Sequence, residues 1–395
     1  MRTVEEHQQV VAGLISARPA VAVPLADALG LALAEDVVAP LSLPGFDNSA
    51  MDGYAVLAAD VATATADDPV KLPVTEDIPA GRTDLLTLAP GTAHRIMTGA
   101  MLPAGATAVV QVEATDGATD VVSIYSPAPE GRSIRRAGED VTAGMTVLSA
   151  GEVLSPAALG LAAALGFAEL KVIPRQRVLV LSTGTELVAP GTPLQPGQIY
   201  ESNAVMLAAA LREAGADVTT APATSDDVAL FRETLAGHAA GVDLIVTTGG
   251  VSAGAYEVVK DALSGDVEFV KVAMQPGMPQ GAGTVGGTPI VTLPGNPVSA
   301  LVSFEVFIRP PLRAAMGLPS QRPRRSATLT ENLTSPAGKR QFRRGVLGTD
   351  EQVSSYGPPA SHHLRWLATA NCLLDIGEDV VELPAGSPVP VWDLS

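Results

Sequence analysis

The sequence predicts a multidomain α/β-plus-β protein. A central doubly wound α/β domain is expected, with a β-rich module before it and a small β-domain after it. Three observations carry this. The chain has 395 residues, too many for one hydrophobic core. From about residue 175 to 322, apolar runs of strand length alternate with segments of helical spacing, the pattern of a parallel sheet with helices on both faces. Outside that stretch the runs are short and broken by proline and glycine, whose counts of 32 and 38 are high for a helical protein.

Taken in order, residues 3–17 place Val4, Val10, Val11, Leu14 and Ile15 roughly on one face. With Thr3 as N-cap and Glu5 and Glu6 in the first turn, they predict an amphipathic helix. Residues 22–38 read as a short strand, a short helix over 25–29 closed by Gly30, and another extended piece. Residues 43–56 (LPGFDNSAMDGYAV) are turn-rich and carry Asp47 and Asp52. Short β-type runs at 71–74, 93–96, 108–112 and 121–125 make up the β-rich module, and 132–140 (RSIRRAGED) is a charged connector. Residues 155–165 read as a capped helix ending at Gly166.

The rhythm then changes. Strand 178–181, helix 203–214, strand 217–221 and helix 226–238 with Asp226 as its N-cap come first. Strand 244–247, helix 257–263, strands 267–272 and 289–293, and helix 298–312 follow. Ligands of such sheets sit beyond the carboxyl ends of the strands. The loops expected there are 182–186 (STGTE), 248–254 and 294–297 (PGNP), three small-residue loops where packing alone demands none. Extended pieces at 326–330, 340–347, 373–376 and 389–392 give the small β-domain.

Bulk properties narrow the partners. Hydrophobic residues make up 47% and charged residues 17%, enough apolar material for sizeable cores. The net charge of −17 argues against nucleic acid and anionic membrane, since no basic excess is available to neutralise phosphates. A small anionic substrate needs only local donors. Cys372 is the single cysteine, so no intramolecular disulfide can form, which fits a reducing compartment. The polar N-terminus (MRTVEEHQQV) is unlike a signal peptide, and no apolar run reaches the ~18 residues of a membrane span. These features point to the cytoplasm.

Residues 243–260 (DLIVTTGGVSAGAYEVVK) carry the most chemistry: strand, glycine-rich loop, helix. Such a loop presents backbone N–H groups at a helix start, where anions are favoured, and glycine permits positive φ and close approach. The plain alternative is a tight turn with no ligand. Gly281, Gly283 and Gly286 match a dinucleotide fingerprint, but 288–293 reads as a strand, so a hairpin is expected. Gly250, Ser252 and Gly254 match a nucleophile elbow, whose acid and histidine would have to follow. His362 and His363 follow, yet in a separate β-domain, where they read as surface or interdomain polar groups. No Walker A, HExxH or paired CxxC is present. Asp52, Asp140, Glu186, Asp226 and Glu257 fall in loops or at helix starts. Singly they read as solvated acids or caps. Brought together near anion loops they would hold Mg²⁺ between carboxylates and phosphates.

The stretch 43–56 resembles the signature of molybdopterin molybdenumtransferases, the group that includes the gephyrin E domain. The series continues in order through 95–103 (RIMTGAMLP), 136–141 (RAGEDV), 180–187 (VLSTGTEL), 199–203 (IYESN), 247–254 (TTGGVSAG), 275–277 (QPG), 293–299 (LPGNPVS) and 370–373 (ANCL). The resemblance implies insertion of molybdate into adenylylated molybdopterin with release of AMP, Mg²⁺ as metal, and an elongated homodimer whose active site lies between subunits. It implies four subdomains, here residues 1–40 with 141–174, then 41–140, 175–322 and 323–395. Carried over by position, Asp52, Thr98 and Asp140 belong to the module side. Glu186, Asp226 and Glu257 belong to the α/β side and are the implied metal ligands. Ser182, Thr183, Gly184, Gly249, Gly250, Ser252, Pro294, Gly295, Asn296 and Pro297 are the implied substrate contacts.

The chain departs from the family pattern at four places. The family often has an acid at Ala255, Asp at Glu257, Asp at Thr185 and Lys at Met278. Lys260 and Lys271 remain as candidate cations. Two other classes stay in view: a scaffold protein keeping the fold without the chemistry, against which the retained acids speak, and a serine hydrolase built on Ser252.

Overall fold

The computed structural model describes residues 1–222, 227–250 and 258–394. The chain divides into two compact units. One comprises Met1–Ala22, Gly30–Ala34 and Lys171–Ser395, and the other Val23–Leu29 and Glu35–Leu170.

The larger unit is built on a six-stranded sheet. Strands Asp217–Thr220, Arg177–Ser182, Leu244–Thr248 and Thr288–Leu293 lie side by side and parallel. Alternate residues go to opposite faces, as strand geometry requires. Val178, Val180, Leu244, Val246, Val291 and Leu293 pack with helices Val4–Leu14, Asn203–Glu213 and Pro297–Ser303. Leu179, Leu181, Ile245 and Ile290 pack with helices Val228–His238 and Val258–Ala262. Near-continuous apolar strands covered on both faces are the doubly wound arrangement the sequence predicts. The sheet is not wholly parallel: Pro279–Val285 runs antiparallel to Thr288–Leu293, and Val267–Lys271 antiparallel to Pro279–Val285. The glycine fingerprint therefore lies in a hairpin. Gly281 and Gly283 serve packing, since a Cβ on Gly283 would lie 2.1 Å from the Asp266 carbonyl oxygen.

Two helix ends refine the reading. Thr3 and Glu6 form a reciprocal capping box at the first helix. The cap of Val228–His238 is Asp227, whose Oδ1 accepts from Ala229 N at 2.8 Å and Leu230 N at 2.9 Å. The expected cap, Asp226, lies outside the described residues. The stretch read as helix 298–312 is Pro297–Ser303, a π-helical turn Phe304–Ile308 and Arg309–Ala315. Gln8 Nε2 donates to the Val306 carbonyl at 3.1 Å, giving that carbonyl a partner within the widened turn.

The C-terminal strands Arg324–Leu329, Arg340–Leu347, Gln352–Ser355, Cys372–Ile376 and Pro388–Asp393 pair in a ring, because Arg340–Leu347 bonds to both Gln352–Ser355 and Cys372–Ile376. Cys372 is buried in this barrel, and burial pushes its thiol up to about 12.

The smaller unit holds a five-stranded sheet in the order Ala108–Gln111, Gly53–Val56, Ala93–Ile96, Val70–Ile78, Val121–Ile124. Here 43–56 is more than turns. Gly53–Val56 is a buried strand between two neighbours, and a Cβ on Gly53 would sit 1.9 Å from the Val110 carbonyl oxygen. The capped helix is present as Pro156–Ala164 with Ser155 at its N-cap. Among the described residues no helix is long and apolar enough to cross a membrane.

His7 is fully buried on the first helix, edge-on to Phe307 at 4.7 Å, and neither ring nitrogen has a partner among the described residues. Burial, with the Arg2 charge adding, lowers its pKa from 6.5 to about 4. Between those values the unfolded chain binds the proton and the folded one does not. Stability is therefore whole above pH 6.5 and falls as the pH drops towards 4, by about 3 kcal/mol in total. His7→Phe keeps an aromatic ring against Phe307. Chemical denaturation at pH 7.5 and 4.5 should show a loss on acidification smaller in His7→Phe than in the wild type by ~2–3 kcal/mol.

Candidate functional site

The parallel strands end level with one another. Ser182 stands opposite Thr248, and Thr248 opposite Leu293. Residues 182–186, 248–250 and 294–297 therefore leave the sheet side by side, and most of them line a cavity of about 1000 Å³. The Thr248 hydroxyl joins them. It accepts from Asn203 Nδ2 at 3.1 Å and donates to the Pro294 carbonyl at 3.2 Å. Asn203 Nδ2 also donates to the Gly295 carbonyl at 2.7 Å. On the other side, Thr183 N donates to the Thr248 carbonyl at 3.1 Å.

Gly249 and Gly250 have φ of +93° and +64°. A Cβ on Gly249 would lie 2.6 Å from the Thr183 carbonyl oxygen, and one on Gly295 3.4 Å from Gly249 Cα. The loops approach backbone to backbone, which only glycine allows at this φ. Among the described residues no hydrogen bond takes up the amides of Gly250, Gly295 or Asn296. Unspent amides at convergent strand ends are donors for an oxyanion.

Ser182, Thr183, Gly184, Glu186, Gly249, Gly250, Pro294, Gly295, Asn296 and Pro297 all line this cavity. Glu186 is exposed at its edge. Ser252, Asp226 and Glu257 lie outside the described residues. Neither candidate lysine lines the cavity. Lys271 is exposed at the end of strand Val267–Lys271, its carbonyl accepting from Arg2 N at 2.9 Å, and Lys260 is exposed on Val258–Ala262. No Lys or Arg is among the described lining residues.

Residues not singled out from the sequence also line it. Glu201 is buried, with Oε1 accepting from Ser182 Oγ at 2.9 Å and Ala204 N at 2.8 Å. It and Asn203 sit in the IYESN stretch, where a carboxylate just before a helix was a signal for a buried cap. The segment 275–279 forms another wall, its Gly277 carbonyl accepting from Gln280 Nε2 at 2.7 Å. His362 lines the cavity too, in keeping with its reading as a surface or interdomain polar group. Buried Arg344 holds the loop that carries it, donating to the His363 carbonyl at 2.9 Å and to the Pro358 carbonyl, while Ser361 accepts from Val298 N at 3.0 Å. Sequence distance hid this contact.

In the smaller unit, Asp52 and Thr98 meet where two paired strands end. Asp52 Oδ1 accepts from both the amide and the hydroxyl of Thr98 at 2.7 Å. Those bonds, the amide first, hold the carboxyl below its usual range, and the Arg95 charge adds to this. Asp140 is exposed, its amide donating to Leu43 at 3.1 Å, and no hydrogen bond links it to the Asp52–Thr98 pair among the described residues. Nearby in sequence, Asp47 accepts from the Ala137 amide at 2.8 Å and Arg136 Nη1 at 2.7 Å, so the connector read as charged is pinned.

Gly249→Ala should cost about 1–3 kcal/mol and lower the thermal midpoint, since positive φ and the Thr183 clash act together. Gly286→Ala is the control: its φ is +57° but nothing lies within 4 Å of the added Cβ. Equal midpoints for the two variants would show that the loop contact does not matter.

Three family models match the chain. They are the MoeA N-terminal region (domain I and II) over residues 2–166, the probable molybdopterin binding domain over 179–314 and the MoeA C-terminal region (domain IV) over 326–394. Molybdopterin molybdenumtransferase 2 of Mycobacterium tuberculosis is 68% identical over 407 aligned residues, which span 100% of each chain. The molybdopterin molybdenumtransferase of Haemophilus influenzae is 36% identical over 93% of this chain and 92% of its own. The crystal structure of the molybdopterin biosynthesis protein MoeA from Pyrococcus horikoshii matches with a TM-score of 0.84 at 30% identity, over 100% of this chain and 99% of that one.

Proposed function

The chain belongs to the MoeA family of molybdopterin molybdenumtransferases, and on that premise we propose that its cleft is where molybdate meets adenylylated molybdopterin. The enzyme inserts molybdenum in molybdenum-cofactor biosynthesis. The observation that supports the finer reading is that three strand ends stand level beside one cavity, with the amides of Gly250, Gly295 and Asn296 taken up by no hydrogen bond among the described residues. A diphosphate and a tetrahedral oxyanion are both ligands for such donors.

The donors lining the cavity are mostly oxygens: carboxylates of Glu186 and Glu201, hydroxyls and carbonyls, with no cysteine. That set suits Mg²⁺, and Glu186 would hold it, in company with Asp226 and Glu257 on this reading. Bound there, Mg²⁺ would neutralise phosphate charge. The chain's own part is positioning. Thr248 and Asn203 fix the spacing of the loops, and the amides of Gly250, Gly295 and Asn296 fix the oxyanions. Asp52, Thr98 and Asp140 would come from the partner of a homodimer, with Asp52 kept ionised by Thr98. The compartment on this reading is the cytoplasm.

The test is AMP release from adenylylated molybdopterin. It should require both molybdate and Mg²⁺, and Glu186→Gln should slow it by roughly 100-fold or more, the scale of losing one preorganised charge contact. Folded wild-type protein that releases no AMP under these conditions would overturn the reading.

A further inference from the structure

The wall 275–279 is held from behind by two buried glutamines. Strand Met274–Gln275 pairs in parallel with the start of barrel strand Arg340–Leu347, and Gln275 stands opposite Gln341. Arg340 pins this register. Its amide donates to the Ala273 carbonyl at 3.0 Å, and its guanidinium forks onto Asp375 with both bonds at 2.7 Å. Gln341 is 3% exposed, and its Nε2 donates to Gln275 Oε1 at 2.9 Å. Gln280 is 1% exposed, and its Nε2 donates to the Gly277 carbonyl at 2.7 Å and to Ser303 Oγ at 2.6 Å.

The two glutamines share a further feature. The Oε1 of each is buried without a hydrogen-bond partner. Leaving an acceptor in that state is costly, so packing alone does not account for an amide at either place. What both supply is a donor aimed at an acceptor of the wall. The consequence lies on the cleft side. With its oxygen taken by Gln341, the Gln275 side chain has only its Nε2 hydrogens left to offer, and Nε2 donates to no acceptor among the described residues. The Gly277 carbonyl is spent on Gln280 in the same way. In a cleft with no Lys or Arg among its described lining residues, an oxyanion at this wall meets N–H groups rather than oxygen lone pairs.

We propose that Gln341 is a positioning residue of the transferase, fixing Gln275 with its N–H groups towards the cleft and so setting the polarity of the wall for an oxyanion of the substrates. This deepens the molybdopterin reading above and rests on it. Gln341 is not among the residues lining the cleft, so it acts through Gln275. Glutamate at 341 would offer Gln275 only lone pairs. The Gln275 amide would then turn round and show its oxygen to the anion.

The experiment follows AMP release with molybdate varied, and then with adenylylated molybdopterin varied. It compares wild type, Gln341→Glu and Gln341→Met, each also on a Gln275→Leu background. Gln341→Glu should raise one of the two KM values at least ~10-fold, the scale of a hydrogen bond to a charged group, with kcat within about 3-fold. The substrate whose KM moves is the one that meets the wall. Gln341→Met has a similar volume but neither polar group, so the amide turns freely and the same KM should rise by roughly 2–3-fold. On the Gln275→Leu background neither substitution should add anything, because nothing is left to orient. A penalty that persists on that background, or a fall in kcat with both KM values unmoved, marks a structural role and overturns the proposal. If Gln341→Glu does not fold, the Gln341→Met pair decides by the same criterion. Wild-type protein that releases AMP while every Gln341 variant keeps its KM values defeats this inference alone. Wild-type protein that releases no AMP defeats the functional reading and this inference with it.

Discussion

The cleft depends on the hydroxyl of Thr248. This residue ends a central strand with parallel neighbours on both sides, and its side chain is fully buried, so the hydroxyl must find partners within the protein. It finds an amide donor on one helix and a carbonyl on the next loop. A β-branched residue suits this place because its χ1 is stiff and its strand preference strong. One short side chain thus converts three independent strand ends into a single rim. Valine would have the same shape but would leave Asn203 and the Pro294 carbonyl without that bond.

That rim is braced from below by elements distant in sequence. The PGNP loop feeds directly into Pro297–Ser303 and the π-helical turn after it. The first helix packs on that turn through His7 and Phe307, with Gln8 serving Val306. The N-terminal residues therefore help set where the loop leaves the sheet. A wide helical turn is tolerated here because its side chains are wholly buried and an outside donor serves one of its carbonyls.

Much of this was legible in the sequence. Alternating apolar runs gave the two-faced sheet, because a strand covered on both sides has to be apolar throughout. The strand after Gly287 exposed the glycine fingerprint as a hairpin. The misreadings have physical causes. Gly53–Val56 is a strand inside a turn-rich stretch, and Gly53 stands there to let two backbones approach. Asp226 and Asp227 are adjacent acids before one helix, and composition cannot choose between them; geometry gives the cap to Asp227. The antiparallel edge follows from a hairpin too short for a crossover helix. That His362 reaches the cleft was not legible, because a linear sequence does not tell which loop of a barrel folds back onto a neighbouring sheet.

The described walls of the cleft carry Glu186 and Glu201 but no Lys or Arg, in a chain of net charge −17, and Met278 stands where the family often places a lysine. An anion entering here meets a repulsive field unless something offsets it. Backbone amides offset part, since they contribute fixed dipoles without a counter-charge of their own. A divalent cation held by Glu186 would offset the rest, so walls without Lys or Arg among the described residues make the proposed Mg²⁺ more necessary rather than less. Glu201 is held at the wall of the cleft by Ser182 Oγ and Ala204 N, which both donate to its Oε1 and share its charge.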